Sequence, residues 1–146
     1  MMNPRLSSEM LHATTVALGG RAVILAGRSG SGKSDLALRL LDRGFVLVSD
    51  DQTMVRKSGD RLIASAPPTI RGKLEVRGIG IVKVDQADDV PICLYVELAN
   101  EIERLPDDDR ERTLLGLAVP LVSIDALTAS APAKVVMALD RLGLTL

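Results

Sequence analysis

At 146 residues, with 47% apolar and 25% charged side chains, the chain has the length and composition of one soluble globular domain and is too apolar to be a disordered segment. Its 18 basic and 19 acidic residues leave a formal charge of -1, so no overall field draws nucleic acid or an anionic membrane. Phe45 and Tyr95 are the only aromatic residues and Cys93 the only cysteine, which excludes both the aromatic platforms on which single-stranded bases stack and a disulfide within the chain.

The first residues, from Met1 to Glu9, contain no apolar core of signal-peptide length, and no later run approaches about 18 apolar residues, the minimum for a membrane helix. A cytoplasmic location without membrane contact is expected. Thr14 to Leu18 and Arg21 to Ala26 are β-rich runs around Gly19-Gly20, a two-residue turn sequence, and read as a hairpin. A glycine-rich loop follows, then Lys33 to Arg43 places Leu36, Ala37, Leu40 and Leu41 at helical spacing before Gly44. Phe45 to Ser49 is too short for most helices and reads as a buried strand, closing a βαβ unit at Asp50-Asp51.

Next, Thr53 to Arg56 and Arg61 to Ala64 flank the turn sequence Lys57-Ser58-Gly59-Asp60, and Pro67-Pro68 ends that hairpin. Leu74 to Ile81 mixes charges with Gly78 and Gly80 and fits neither a plain strand nor a plain helix, so it is expected to be a functional loop. Ile92 to Leu98 reads as a strand around a buried Cys93, and Leu121 to Ile124 as a shorter one. Pro106 to Asp109 reads as an exposed acidic turn rather than a metal cluster. Ala133 to Leu142 reads as a closing helix ended by Gly143. The whole chain, residues 1–146, is expected to be one α/β domain.

Gly27-Arg28-Ser29-Gly30-Ser31-Gly32-Lys33-Ser34 matches the Walker A pattern, and it lies between an expected strand and an expected helix, as that pattern requires. Glycines let backbone N–H groups close around phosphate oxygens, and the following helix adds its positive end. Lys33 reaches toward the β- and γ-phosphates of a nucleotide such as ATP, and Ser34 offers a hydroxyl to Mg2+. Asp50-Asp51 should emerge at the carboxyl edge of the sheet beside those phosphates, one to hold metal-bound water and the other to accept a proton. The same pair also fits a solvated turn. Glu75 and Arg77 fit a metal ligand and a charge clamp, or equally a surface ion pair. His12, the only histidine, is either a proton carrier or a structural residue.

These residues together resemble the catalytic domain of the HPr kinase/phosphorylase family, a P-loop kinase domain of the HPr kinase / PEP carboxykinase-like type with a mixed central sheet and flanking helices. The resemblance rests on His12 ahead of the hairpin, the loop from Gly27 to Ser34, Val48-Ser49-Asp50-Asp51, and Glu75-Val76-Arg77-Gly78-Ile79-Gly80-Ile81. It implies an ATP-dependent kinase that phosphorylates a serine of the phosphocarrier protein HPr or a close relative, and that reverses this by phosphorolysis, releasing pyrophosphate.

By the same resemblance Lys33 contacts the phosphates, Ser34 and Glu75 hold magnesium, Asp50-Asp51 supplies the proton acceptor with Asp51 the favoured member, and His12 and Arg77 join the active site. Pyrophosphate or phosphate would use the same loop, and the protein would be a homo-oligomer, a hexamer in the family. Two departures stand out. The family's additional N-terminal domain is absent from this sequence, and its proline- and arginine-rich stretch near the C-terminus is replaced by Pro120-Leu121-Val122-Ser123-Ile124-Asp125, which has no arginine. Kinase activity is therefore expected to persist while phosphorolysis is weak. A P-loop small-molecule kinase and a non-catalytic ATP-binding regulator are the alternative readings.

Overall fold

Two strands precede the glycine-rich loop as expected, and a shorter one comes before them. In the computed structural model, which describes residues 7–107 and 109–146, β1 (Ser8–Leu11) has no β-branched or aromatic residue to announce it. Strands β2 (Ala13–Leu18) and β3 (Arg21–Ala26) pair antiparallel along their full length. Gly19 and Gly20 take φ of 60° and 77°, the paired left-handed geometry that follows strand twist and that side chains enter only under strain.

Beyond the loop, α1 (Lys33–Leu41) buries Leu36, Ala37 and Leu40, and β4 (Val46–Ser49) follows. β4 runs parallel to β3, as a βαβ unit demands, but the two do not touch. β2 is inserted between them and pairs antiparallel with both. The direction of β4 survives this insertion, so the carboxyl ends of β3 and β4 still share one edge of the sheet.

β5 (Thr53–Ser58) and β6 (Arg61–Ser65) form the expected hairpin, with only Gly59-Asp60 left as its turn. The segment read as an irregular loop is instead a hairpin of its own, β7 (Lys73–Val76) with β8 (Gly80–Lys83), forming a separate two-stranded sheet. Its period is masked because only Leu74 is fully buried and Gly78 and Gly80 interrupt the run at positive φ, 85° and 119°. β9 (Val90–Leu98) is the centre of the main sheet. β3 pairs parallel along one edge; β6 pairs antiparallel with its first residues along the other edge.

The same edge of β9 then receives β11 (Leu117–Ile124), parallel to its last residues, and β11 in turn receives β10 (Glu111–Leu114) antiparallel. β10 escapes a reading by composition because its charged run has no alternation. Asp107 and Asp109 of the acidic turn are exposed, and Asp108 lies outside the described residues. The closing helix α2 (Ala131–Leu142) starts two residues before the expected position, since Pro132 in the first turn costs no hydrogen bond.

The sheet curls and encloses two cores. One lies between the sheet and both helices and contains Leu25, Leu36, Leu40, Leu94, Val96, Val135 and Leu139. The other, with Ile24, Val48, Val55, Leu62 and Tyr95, is closed by strands alone. Both helices therefore flank the same face. Cys93 is buried as expected, and desolvation pushes its thiol up from the ordinary range despite the nearby Arg21 guanidinium. No helix of the described residues is long and apolar enough to cross a membrane.

Candidate active site

Residues Gly27 to Gly32 carry the chain from the end of β3 to the start of α1, and two of the glycines are there for stated reasons. Gly32 is the N-cap of α1 at φ 95°, in the left-handed region. At Gly27 an added Cβ would lie 2.6 Å from Ser31 Oγ and 3.1 Å from Leu98 Cβ. No side chain caps α1, so its first-turn N–H groups and its positive end are free to meet an anion. Lys33 Nζ donates to the carbonyls of Gly27 at 2.9 Å and Arg28 at 3.0 Å, which lays the ammonium along the loop itself.

Gly27→Ala is expected to lower stability by about 1 to 3 kcal/mol, the usual cost of overpacking. The measurement is a fall in the denaturation midpoint at unchanged slope, accompanied by weaker ATP binding because the loop must shift.

The acidic half of the site is built on the turn that follows β4. Asp50 is buried, with 7% of its surface exposed, and its carboxylate accepts from three directions. Thr14 Oγ1 donates to Oδ1 at 3.0 Å, Ser34 Oγ to the same oxygen at 2.6 Å, and the Glu75 N–H to Oδ2 at 3.0 Å. One carboxylate thus ties together β2, the P-loop helix and the β7–β8 hairpin. A buried carboxylate is tolerable only when its lone pairs are met in this way.

The Asp51 carboxylate takes no part in this network. Asp51 is exposed, it sits at φ 64°, and its N–H donates to Thr14 Oγ1 at 3.0 Å. Aspartate tolerates the left-handed region better than most residues. The turn is closed by Ser49 Oγ, which donates to the Gln52 carbonyl. The two adjacent carboxylates therefore differ in kind: one is a buried acceptor bonded to the P-loop helix and the other is open to solvent at the next position along the chain.

His12 is exposed in the link between β1 and β2. Leu11 lies opposite Thr53, and Thr53 Oγ1 donates to the Ala13 carbonyl at 2.9 Å, so His12 borders the chain just past Asp51. Glu75 enters the network through its backbone, while its side chain lies on the outer, exposed face of the hairpin. Arg77 is exposed at the hairpin tip. The fold thus brings the P-loop, both aspartates, Glu75 and Arg77 to one edge, with His12 on its border.

The family model for the HPr serine kinase C-terminal domain matches residues 5–141. The chain belongs to that family. Among relatives of this HPr serine kinase domain, "HPr kinase/phosphorylase" from Caldicellulosiruptor bescii is 36% identical over 126 residues, covering 77% of this chain and 40% of the relative. The protein of the same name from Chlorobaculum tepidum is 36% identical over 130 residues, covering 80% of this chain and 38% of the relative. The chain therefore spans about two fifths of the length of these curated relatives. A solved structure titled "Structure of the Hpr(Ser) kinase/phosphatase from Coxiella burnetii" superposes with TM-score 0.79 at 26% identity, covering 90% of this chain and 94% of that one. The mixed, curled sheet with few helices is the architecture of the family.

Two residues of this site are missed by motif reading. Thr14 looks like one more β-former in a strand, yet its hydroxyl joins both aspartates. Arg39 looks like the polar face of α1, where it pairs with Asp35 at 3.1 Å. Its guanidinium also donates to the carbonyls of Ala126 and of Thr128, holding the segment after β11 against the helix that begins the phosphate site. Only the helical spacing of Asp35 and Arg39 is visible beforehand, and it reads as an ordinary surface pair.

Proposed function

We propose that the chain is an ATP-dependent protein-serine kinase that phosphorylates the phosphocarrier HPr, acting in the cytoplasm as a homo-oligomer. The observation that carries this reading is the split of the aspartate pair beside an uncapped P-loop helix: the Asp50 carboxylate accepts three hydrogen bonds, while the Asp51 carboxylate is exposed and meets no partner among the described residues. In the proposed reaction the serine hydroxyl attacks the γ-phosphate in line and gives its proton to Asp51. Lys33 and the N–H groups of the loop take up the charge that spreads over the transferring phosphoryl oxygens. Arg77 and His12 lie on the border from which the acceptor enters.

The donor set fits a magnesium ion. Ser34 Oγ is held at 2.6 Å by the buried Asp50 carboxylate, and hard oxygen ligands of few protein groups, completed by phosphate and water, are what magnesium takes. Ser34, oriented by Asp50, would hold the ion, and the Glu75 carboxylate, which lies on the outer face of the hairpin, would have to turn inward to join it. Magnesium, when bound, neutralises charge on the phosphate oxygens.

Incubation with labelled ATP, magnesium and purified HPr, followed by mapping of the labelled residue, tests the assignment. Label on one HPr serine supports it. ATP consumption with a metabolite and none with HPr would instead support a small-molecule kinase, and ATP binding without any transfer a regulatory module. The reverse reaction is expected to be weak. The stretch Pro120 to Asp125, which forms the end of β11 and the residue after it, carries no arginine where the family has a proline- and arginine-rich segment, and its one charged group, the Asp125 carboxylate, accepts from the Leu127 N–H at 2.9 Å. Pyrophosphate release from phosphoserine-HPr at a rate comparable with phosphorylation would overturn that expectation.

A further inference from the structure

We infer that Thr14 is the positioning residue of the acid pair: its one buried hydroxyl holds Asp51 where that carboxylate takes the serine proton, and aligns the Asp50 carboxylate that orients Ser34. This rests on the kinase reading above and adds what places its general base. Thr14 shares a face of β2 with Val16 and stands opposite Leu25 of β3, and both neighbours belong to the core beneath the helices. Valine would fill such a site equally well. A hydroxyl there is unfavourable unless its hydrogen bonds are met.

Thr14 and Thr15 are both 0% exposed, on opposite faces of the strand, and they spend their hydroxyls differently. Thr15 Oγ1 lies 2.8 Å from Thr53 Oγ1, whose own proton goes to the Ala13 carbonyl at 2.9 Å, so Thr15 is the donor of that pair. Its bond joins β2 to β5. Thr14 meets the aspartates instead. A backbone N–H can only donate, so Thr14 Oγ1 accepts from Asp51 at 3.0 Å and its single proton goes to Asp50 Oδ1 at 3.0 Å.

Asp51 needs this tie. Its φ of 64° lies in the left-handed region, where a residue other than glycine stays only when its surroundings hold it. The turn closes on itself through the Gln52 N–H, which donates to the Asp50 carbonyl at 2.7 Å, and through Ser49 Oγ on the Gln52 carbonyl. The Asp51 N–H fastens its apex to β2. That strand pairs with β3, which leads into the phosphate loop, and its register against β4 shifts between Thr15 and Val16, an irregularity of the kind that re-aims side chains beside active sites. Holding Asp51 to Thr14 therefore sets its place relative to the phosphates. A general base works only within hydrogen-bond reach of its proton, and a displacement of about 1 Å costs about 10²-fold in rate.

Single-turnover phosphorylation of purified HPr by the full chain, at saturating ATP and below the thermal midpoint of each variant, tests the assignment. Thr14→Val keeps the shape and removes the hydroxyl, and is expected to slow transfer by about tenfold to a hundredfold with binding of a fluorescent ATP analogue unchanged. Thr14→Ser should restore the rate. Thr15→Val, which deletes the neighbouring buried hydroxyl, should lower the thermal midpoint and leave the rate as it was. If Thr14→Val fails to fold, Thr14→Cys is measured in its place, since a thiol is too weak a donor and acceptor to replace the hydroxyl. In the Asp51→Asn background the Thr14 substitution should cost almost nothing more, because it acts through Asp51. A folded Thr14→Val or Thr14→Cys with the wild-type rate, losses that add fully to that of Asp51→Asn, or an equal loss in Thr15→Val would each overturn the assignment of Thr14 and leave the kinase reading standing. Should wild type never label HPr, or Asp51→Asn keep the full rate, the reading on which it rests fails first.

Discussion

Asp51→Asn is expected to lower kcat for HPr phosphorylation by about 10² to 10⁴, the usual contribution of a positioned general base, while the fold and the affinity for ATP are retained. The substitution is nearly isosteric, and asparagine accepts the φ of 64° that Asp51 adopts. The N–H bond to Thr14 Oγ1 is a backbone interaction and survives the change. The amide, however, cannot take the serine proton. Asp50→Asn is the informative contrast. Its carboxylate receives Thr14, Ser34 and the Glu75 N–H, and an amide would turn an NH₂ donor toward one of those donors. That variant should lose stability by about 1 to 3 kcal/mol, the cost of an unmet buried polar group. Urea midpoints and single-turnover rates on both variants decide the assignment: a stable, inactive Asp50→Asn beside an active Asp51→Asn would reverse the two roles.

The difference between these neighbouring aspartates marks how far the sequence can be read. A strand, a glycine loop, a helix and a second strand ending in two acids are all legible, because each depends on local chemistry within a few residues. Which acid is buried depends on Thr14, thirty-six positions away from Asp50, and no local pattern connects them. The inserted β2 is likewise invisible: a hairpin before the P-loop strand fixes its antiparallel pairing but not that β4 then adds to its outer edge.

Failures elsewhere have the same origin. The β7–β8 hairpin disguises its alternation since its outer face, with Lys73, Glu75 and Ile81, is given to solvent and site rather than to a core. β10, with Glu111, Arg112 and Thr113 all exposed, is a strand only because β11 offers it a ladder. Thr14, Arg39 and the β7–β8 hairpin, three of the misread positions, lie around the phosphate edge, as expected where residues answer to a site rather than to packing. Arg39 is the clearest case. Its surface pairing with Asp35 is the visible part of an interaction that fixes the segment beside the P-loop.

Lys33→Ala should reduce phosphoryl transfer by about 10³-fold, on the scale of removing one preorganised donor to a charged transition state. Structure survives, because the lysine gives α1 no packing that the core requires: Leu36, Ala37 and Leu40 bury the helix without it. The loss to folding is confined to the two carbonyls, of Gly27 and Arg28, that the ammonium meets. Since Lys33 is partly exposed, water can replace part of that, at a cost of about 1 kcal/mol. The same two bonds predict how the effect divides between binding and chemistry. An ammonium that moves from carbonyls to phosphate exchanges one set of hydrogen bonds for another, so its net help to ground-state ATP binding is small. In the transition state the phosphoryl oxygens compete for it more strongly. Lys33→Ala and Lys33→Met should therefore weaken binding of a fluorescent ATP analogue only modestly while single-turnover transfer collapses in both. A loss of ATP affinity that accounts for the whole fall in rate would instead make Lys33 a ground-state anchor. Lys33→Arg should not rescue the rate, because the planar guanidinium is bulkier than the ammonium that the loop carbonyls enclose.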